Sequence, residues 1–236
     1  MSTAEASETE RFKKAAAESA VARLQDGMIV GLGSGTTATL AVEAIGQRVR
    51  EGLKIIGIAT SEKTADQARR LSIPLSTLED RQAIDVTIDG ADEVEAGTLN
   101  LIKGGGGNLL REKIVSAASS RMVVIVDERK IVRELGASWA VPVEVVPFGW
   151  KTTAKRLEQA GARPVLRMAP DGKIFVSDGG HYILDCAFGP IRFPRELQAE
   201  LDGTVGVVEH GLFIGIACQV FIGGPSGVQV MCPVLK

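Results

Sequence analysis

The sequence contains few of the residues that build metal sites and disulfide frameworks. It has three cysteines, Cys186, Cys218 and Cys232, which lie far apart, and only two histidines, His181 and His210. No Cys-x-x-Cys pair occurs. We therefore expect no zinc site, and a reducing compartment is the simpler interpretation of an odd number of scattered thiols.

The chain also has no excess of positive charge and no long apolar run. Its formal net charge of -2 provides no basic face for nucleic acid. No apolar run approaches the roughly 20 residues that cross a bilayer, so we expect no membrane contact. The first ten residues, MSTAEASETE, are acidic and polar, unlike a signal peptide or an Arg-rich transit sequence. We expect a cytoplasmic protein whose residues 1–10 form a frayed tail.

Strands alternate with helices over the first part of the chain. Of its 236 residues 45% are hydrophobic, which is enough for one large or two modest domains. The apolar periodicity predicts strands over 28–32, 54–59, 83–88 and 122–126, and helices over 11–24, 38–49, 60–71 and 109–118. This alternation predicts a parallel sheet that is covered on both faces.

The pattern changes after about Gly136. Short runs near prolines, with a turn at Ser177-Asp-Gly-Gly180, predict antiparallel strands, including one over 174–176. The apolar, Gly-rich tail is expected to return to the first sheet. The predicted fold is therefore α/β. A Rossmann-like parallel-sheet domain comprises residues 1–135 plus 210–236, and a smaller inserted α+β domain comprises residues 136–209.

A glycine-rich turn, Gly31-Leu-Gly-Ser-Gly-Thr-Thr37, joins the first predicted strand to the second predicted helix. It fails the dinucleotide fingerprint because Thr36 stands at the third glycine position. Free backbone N–H groups, the hydroxyls of Ser34, Thr36 and Thr37, and a helix N-terminus suit a single phosphate instead. The alternative is a tight turn that Thr36 or Thr37 caps without any ligand.

Carboxylates and a lysine are concentrated in the next stretch, Asp89 to Glu112. Asp89, Asp92 and Glu93 follow a buried strand, where mutual repulsion would raise some of their pKa values. An Asx-type turn at Asp89-Gly90 is the structural alternative. The grouping suits proton transfer on an anionic substrate.

Lys103 precedes four consecutive glycines. Because ordering glycine costs backbone entropy, this run favours a loop that brings its N–H groups against a ligand over a flexible linker. Glu112 lies in the first turn of the next helix, where it either complements the helix dipole or enters the same crevice. Lys130 either supplies a cation there or is a solvated residue at a helix start.

The remaining charged candidates are expected to be structural or solvated. His181 and His210 have no acidic or cysteine neighbours in a ligand spacing. The arginines of the smaller domain are expected to be solvated: Arg163, Arg167 and Arg192.

Together these motifs resemble those of A-type ribose-5-phosphate isomerases, in the same order and spacing. The residues that carry the resemblance are Gly31-Leu-Gly-Ser-Gly-Thr-Thr-Ala38, Thr60-Ser61, Asp89-Gly-Ala-Asp-Glu93, Lys103-Gly-Gly-Gly-Gly107 and Arg111-Glu-Lys113. The likeness extends over nearly the whole chain. It departs at Ser34-Gly-Thr-Thr37, where the family often has Thr-Gly-Ser-Thr, and at Asn108, where a small residue is common.

The resemblance implies reversible conversion of D-ribose 5-phosphate to D-ribulose 5-phosphate through an enediolate, in the non-oxidative pentose phosphate pathway. It implies a homodimer or homotetramer with no metal and no organic cofactor. Glu112 matches the proton acceptor, Lys103 would stabilise the oxyanion, and Asp89 or Asp92 would assist ring opening. The positions that match substrate contacts are Ser34, Gly35, Thr36, Thr37, Asp89, Gly90, Ala91, Asp92, Lys103, Gly104, Gly105, Gly106 and Lys130.

Two other functions are compatible with a sugar-phosphate site. An amino-sugar phosphate deaminase on a related scaffold would favour a histidine near the site, and both histidines lie outside the motif stretch. A non-catalytic sugar-phosphate sensor would need a DNA-binding or partner module and could dispense with Glu112. The joint presence of Glu112, Asp89, Asp92 and Lys103 favours an enzyme.

Overall fold

The computed structural model describes residues 3–233, which form six α-helices and fourteen strands. The helices are α1 (Thr3–Val21), α2 (Thr36–Arg50), α3 (Glu62–Arg70), α4 (Leu109–Ala117), α5 (Trp150–Gln159) and α6 (Pro194–Asp202). The strands are β1 (Ile29–Leu32), β2 (Ile56–Ala59), β3 (Val86–Asp89), β4 (Glu93–Glu95), β5 (Leu101–Ile102), β6 (Met122–Asp127), β7 (Ile131–Val132), β8 (Val141–Val145), β9 (Arg163–Leu166), β10 (Tyr182–Ala187), β11 (Val207–His210), β12 (Leu212–Phe213), β13 (Ala217–Gly224) and β14 (Gly227–Met231).

A six-stranded sheet in the order β14-β13-β6-β3-β1-β2 forms the main scaffold. All its neighbouring pairs are parallel except β13 with β14, so the predicted α/β fold with a parallel sheet is confirmed. The C-terminal segment returns to this sheet, as expected, because β13 pairs with β6. Every residue of β6 is buried, which is typical of a parallel strand covered on both faces.

The predicted frayed tail is wrong for its described residues. Residues 3–10 are the first turns of α1, and residues 1 and 2 lie outside the described range. Alanine and glutamate are good helix formers and both recur in this segment, so a polar stretch extends the helix. Ala16, Ala17 and Ala20 are buried in the core that the helix shares with the main sheet.

A second sheet, in the order β11-β8-β10-β9, is antiparallel throughout. The strand predicted over 174–176 is wrong. This segment makes only single bridges, one from Ile174 back to Met168 and one from Val176 to Tyr182 across the turn at Ser177. The turn itself forms, because the Gly180 N–H donates to the Ser177 carbonyl at 2.9 Å.

A third sheet, in the order β12-β5-β4-β7, has no counterpart in the sequence analysis. Its strands are two or three residues long, which is too short for a period of two to be recognised. The antiparallel pairing of β4 with β5 places Glu93, the last residue of one motif, opposite Ile102. The next residue, Lys103, begins the glycine motif. The described part of the chain has no helix long and apolar enough to cross a membrane.

Candidate active site

A cleft of about 310 Å³ opens at the carboxyl ends of β1 and β3, the edge where open α/β sheets bind ligands. Its lining residues are Lys13, Ser34, Gly35, Thr36, Thr37, Gly90, Ala91, Asp92, Lys103, Gly104, Gly105, Gly106, Glu112, Lys130 and Trp139. All predicted site residues except Asp89 are among them, and Asp89 lies buried against Lys103. A larger groove of about 740 Å³ beside α3 contains none of them.

Lys103 forms the charged centre of this cleft. Its Nζ lies 2.9 Å from Asp89 Oδ2 and 3.2 Å from Glu112 Oε2, and it donates to the Gly90 carbonyl at 2.6 Å. Burial alone would lower the pKa of Lys103, but the two carboxylates outweigh burial and raise it. The ammonium is therefore held charged next to the groups that would handle protons.

Asp89 is fixed by backbone donors as well as by Lys103. Its Oδ1 accepts from the N–H of Ser34 at 3.1 Å and of Gly90 at 2.7 Å. A side chain at Gly33 would place its Cβ 2.2 Å from that same oxygen, so glycine is needed for this approach. Burial raises the pKa of Asp89 to about 7, although Lys103 opposes the shift.

Glu112 lies in the first turn of α4 and is almost fully buried. One carboxylate oxygen faces Lys103, and the other accepts a very short hydrogen bond from the Ser34 hydroxyl. Lys103, which precedes the glycine loop, and Ser34, which lies in the strand-to-helix turn, therefore meet at this carboxylate. Each of them orients one of its two oxygens.

The glycine loop after Lys103 touches the second aspartate. The Gly105 N–H donates to Asp92 Oδ2 at 2.7 Å, and a Cβ on Gly105 would lie 2.6 Å from Asp92 Oδ1. Burial raises the pKa of Asp92, and this hydrogen bond opposes the shift. Gly105 thus packs directly on a carboxylate, and Gly104, Gly105 and Gly106 line the cleft.

The other end of the cleft carries donors that suit a phosphate. Helix α2 begins after Gly35, which has a φ of 91° and makes no side-chain capping bond. The alternative of a turn capped by Thr36 or Thr37 is therefore wrong. Lys13 Nζ lies 3.4 Å from Thr36 Oγ1, and Lys130 Nζ lies 4.8 Å from the ring centre of Trp139. Two lysines and a helix N-terminus converge there.

Comparison with known proteins assigns this arrangement to a family. Residues 56–227 match the model of the family described as Ribose 5-phosphate isomerase A (phosphoriboisomerase A). The chain belongs to this family. A "Ribose-5-phosphate isomerase A" of Synechococcus sp. (strain JA-3-3Ab) is 54% identical over 223 residues, 94% of this chain and 97% of that protein.

Two solved structures of isomerases also match the fold. The enzyme of Methanocaldococcus jannaschii superposes with a TM-score of 0.91 at 39% identity, over 95% of this chain and 99% of that one. A D-ribose-5-phosphate isomerase in complex with phospho-erythronic acid superposes with a TM-score of 0.92 at 37% identity, also over 95% and 99%.

Sequence reasoning about this isomerase missed three residues near the cleft. Lys13 lies on α1, far in sequence from any motif, and carried no signal. Trp139 is one of only two tryptophans and follows Gly136 in a polar loop, which was a usable signal. Arg167 was expected to be solvated, and that expectation is wrong. It donates to the carbonyl oxygens of Gly104 and Gly105 at 2.9 and 3.1 Å.

Arg167 is itself held by Asp185, whose two carboxylate oxygens accept from the guanidinium. Asp185 lies in β10 of the antiparallel sheet, and Arg167 directly follows the end of β9. This sheet therefore anchors the glycine loop of the cleft. A lone arginine beyond a strand gave no hint of a contact with residues more than sixty positions away.

Glu93 does not join the other carboxylates. Its side chain is buried and accepts from the N–H groups of Gly136 and Ser138, both at 2.6 Å. The expected repulsion among Asp89, Asp92 and Glu93 is therefore wrong for Glu93. After burial, it is the charge of Glu112 that raises the pKa values of Asp89 and Asp92. Glu93 instead orders the loop that carries Trp139 to the cleft.

The two histidines lie outside the cleft, which removes the feature that a deaminase would favour. His181 Nδ1 lies 3.0 Å from Glu144, and the buried His210 pairs through Nε2 with Asp202 at 3.0 Å. Burial lowers the pKa of His210 to about 4. Asp202, Glu209 and His210 are close enough together to hold a metal ion, but the Lys113 ammonium already binds Glu209 at 2.6 Å.

The raised pKa of Asp89 predicts a pH-dependent stability. A carboxyl whose folded pKa of about 7 exceeds its ordinary 3.8 stabilises the fold at low pH and loses that contribution as pH rises through 7. Relative to Asp89→Asn, the unfolding free energy of the wild type should fall by on the order of 2 kcal/mol between about pH 5 and pH 8. Lys103 stays charged over this pH range, so the loss of its pairing with Asp89 changes the unfolding free energy of the variant by the same amount at every pH. Urea unfolding of both proteins at several pH values measures this difference. If the unfolding free energies of the wild type and the variant changed in parallel with pH, the raised pKa would be contradicted.

Proposed function

We propose that the chain interconverts ribose 5-phosphate and ribulose 5-phosphate through an enediolate, with Glu112 as the base. The observation that carries this proposal is the pairing of Glu112 with Lys103 at the end of a cleft whose other end offers phosphate donors. Membership of the isomerase family supports the same reaction.

Glu112 would carry one proton between neighbouring carbons. It takes the proton from C2 of the open-chain aldose, the C–H electrons form the C1–C2 double bond, and the carbonyl electrons move to O1. The proton then returns at C1, where the electrons of the double bond form the new C–H bond. The O2 proton passes to O1, so that C2 carries the carbonyl and C1 a hydroxyl. A base that acts in this way must lie within about 3 Å of either carbon. Its two oriented oxygens support such a fixed position.

Lys103 would stabilise the negative charge that develops on the enediolate oxygens. Such electrostatic stabilisation is usually the largest contribution in reactions of this kind. The ammonium is already charged and oriented by Asp89 and the Gly90 carbonyl, so it needs little reorganisation when charge develops. Burial beneath the cleft strengthens its interaction with the substrate.

Asp92 is the better placed of the two aspartates to assist ring opening. It lines the cleft, whereas Asp89 is fully buried and engaged by Lys103 and two backbone N–H groups. Burial raises the pKa of both aspartates, so the access of Asp92 to the cleft decides between them. We therefore propose that Asp92 moves the hydroxyl proton and that Asp89 orients Lys103.

The phosphate would bind at the N-terminus of α2, between Lys13 and Lys130. The phospho-erythronic acid that the related structure contains joins a carboxylate to a phosphate, and so places negative charge at both ends, as an enediolate phosphate does. The cleft offers matching cations, with Lys103 at one end and Lys13 and Lys130 at the other. Holding the phosphate also positions the reacting carbons.

Lys130→Ala should raise KM for ribose 5-phosphate about 10-fold and change kcat less, because a charged hydrogen bond to the phosphate contributes in ground and transition states alike. Lys151→Ala is the matched control. That lysine also stacks on a tryptophan, Trp150, at 5.7 Å, but it lies on α5 outside the cleft. Steady-state kinetics of both variants test the assignment, and equal KM values would contradict it.

The experiment that tests the function follows ribulose 5-phosphate formation from ribose 5-phosphate by the wild-type protein, with C2-proton exchange recorded in heavy water. We expect turnover, and competitive inhibition by phospho-erythronic acid. Binding of both compounds without any turnover would instead favour a sugar-phosphate sensor.

We also propose that residues 1–135 plus 210–236 form the catalytic domain and residues 136–209 a smaller one. The antiparallel sheet packs in an apolar cluster that includes Val143, Leu157 and Leu184, and Ile102 and Leu212 of the larger domain join the same cluster. Exposed apolar residues such as Phe148 on this part support association into a homodimer or homotetramer. We propose that the enzyme acts in the cytoplasm.

A further inference from the structure

Asn108 occupies the N-cap position of α4 but does not cap the helix. Asparagine is favoured there because its side chain accepts a hydrogen bond from a free backbone N–H of the first turn. In this structure the Asn108 side chain makes no capping bond. Its amide instead donates to the hydroxyl oxygen of Ser34 at 3.2 Å. The Asn108 side chain is thus directed toward Ser34 in the cleft and not toward the backbone of its own helix.

Ser34 is the link between Asn108 and the base. A serine hydroxyl has one hydrogen to donate and lone pairs that accept. The Asn108 amide fills an accepting position, and the Ser34 hydroxyl donates to Glu112 Oε1. Because Ser34 and Glu112 are both buried, water does not compete freely for this hydrogen bond. In a chain of this kind each hydrogen bond polarises the next.

We propose that Asn108 is a positioning residue for the isomerase reaction, which acts through Ser34 to hold the Glu112 carboxylate in its productive orientation. The proposal rests on the proposed function, in which Glu112 is the base. Glu112 has to serve two adjacent carbons, and small misplacements of a catalytic group are costly. Lys103 fixes Oε2, so the Asn108–Ser34 pair supplies the constraint on Oε1.

A double-mutant cycle tests whether Asn108 acts through Ser34. Asn108→Ala should lower kcat about 3- to 10-fold, the range that the loss of one neutral hydrogen bond gives, with KM changed by less than about two-fold. In a Ser34→Ala background the same substitution should have almost no further effect on kcat. Because the side chain makes no capping bond, the melting temperature of Asn108→Ala should stay close to that of the wild type.

Asn108→Asp separates this role from a structural one. Aspartate is equally acceptable at an N-cap and favourable near the helix N-terminus, so the melting temperature should be unchanged or higher. Its carboxylate, however, accepts instead of donating, and would draw the Ser34 hydroxyl away from Glu112. We therefore expect kcat to fall further than in Asn108→Ala. A role limited to helix stability predicts that kcat follows the melting temperature instead.

The proposal is overturned if Asn108→Ala has the kcat of the wild type, or if its loss is equally large in the Ser34→Ala background. Failure of the proposed function has a different signature. Absent wild-type turnover, or full activity of Glu112→Gln in the same assay, would refute Glu112 as the base. Ratios between the Asn108 variants and an active wild type report only on the positioning role.

Discussion

Replacing Glu112 with glutamine should lower kcat by about 10²- to 10⁴-fold, the contribution of a general base, while substrate still binds. Glutamine keeps the shape of the side chain, and its oxygen still accepts from the Ser34 hydroxyl, but it does not take up a proton from C2. The loss of exchange at C2 and of ketose formation should be equal, because both depend on the same proton transfer. Proton NMR of ribose 5-phosphate in heavy water records the two processes together.

Glu62→Gln is the matched control for this experiment. Glu62 is an exposed glutamate that pairs with Arg111, the neighbour of Glu112 in sequence, at 2.8 Å, and it does not line the cleft. Its kcat should equal that of the wild type. If Glu112→Gln retained full activity, the base would have to be sought at Asp89 or Asp92, whose pKa values burial raises.

The parts of the site that lie on long periodic elements were predictable from sequence. Asp89 ends a strand with a clear period of two, and Glu112 lies in the first turn of the helix that follows, so their positions at one sheet edge followed from strand-helix alternation. The glycine-rich stretches were predictable for a different reason. Positions that need close backbone approach, such as Gly33 and Gly105, exclude other residues, and this leaves a visible signal.

The contacts that the sequence did not reveal join distant segments through single side chains. Lys13 reaches Thr36 across 23 residues, and Arg167 reaches the glycine loop across more than sixty. No sequence motif surrounds either residue. A lysine on a helix and an arginine after a strand are usually solvated, so neither residue indicated a contact with the site. Glu93 shows the converse case. Its position beside Asp92 suggested a shared site, but the short β4 turns its side chain toward Gly136 and Ser138.

Removal of the Lys103 ammonium should damage both catalysis and stability. Lys103→Met should lower kcat about 10²- to 10³-fold, as the loss of one oxyanion donor does. It should also lower the unfolding free energy by about 3–5 kcal/mol, because Asp89 and Glu112 remain buried without their shared cation. Urea unfolding and kinetics at a temperature where the variant is folded measure the two effects separately.

A second substitution separates the two roles of Lys103. In Lys103→Met with Asp89→Asn one of the buried charges is also removed, so much of the stability should return while kcat stays low. Lys113→Met is the matched control: both ammonium groups lie over the Phe213 ring, at 5.5 Å for Lys103 and 5.0 Å for Lys113. Because Lys113 pairs with Glu209 outside the cleft, its loss should reduce stability and leave kcat within a few-fold. If Lys103→Met kept wild-type kcat when folded, the lysine would be a structural counter-ion, and the backbone N–H groups of the glycine loop would have to stabilise the enediolate.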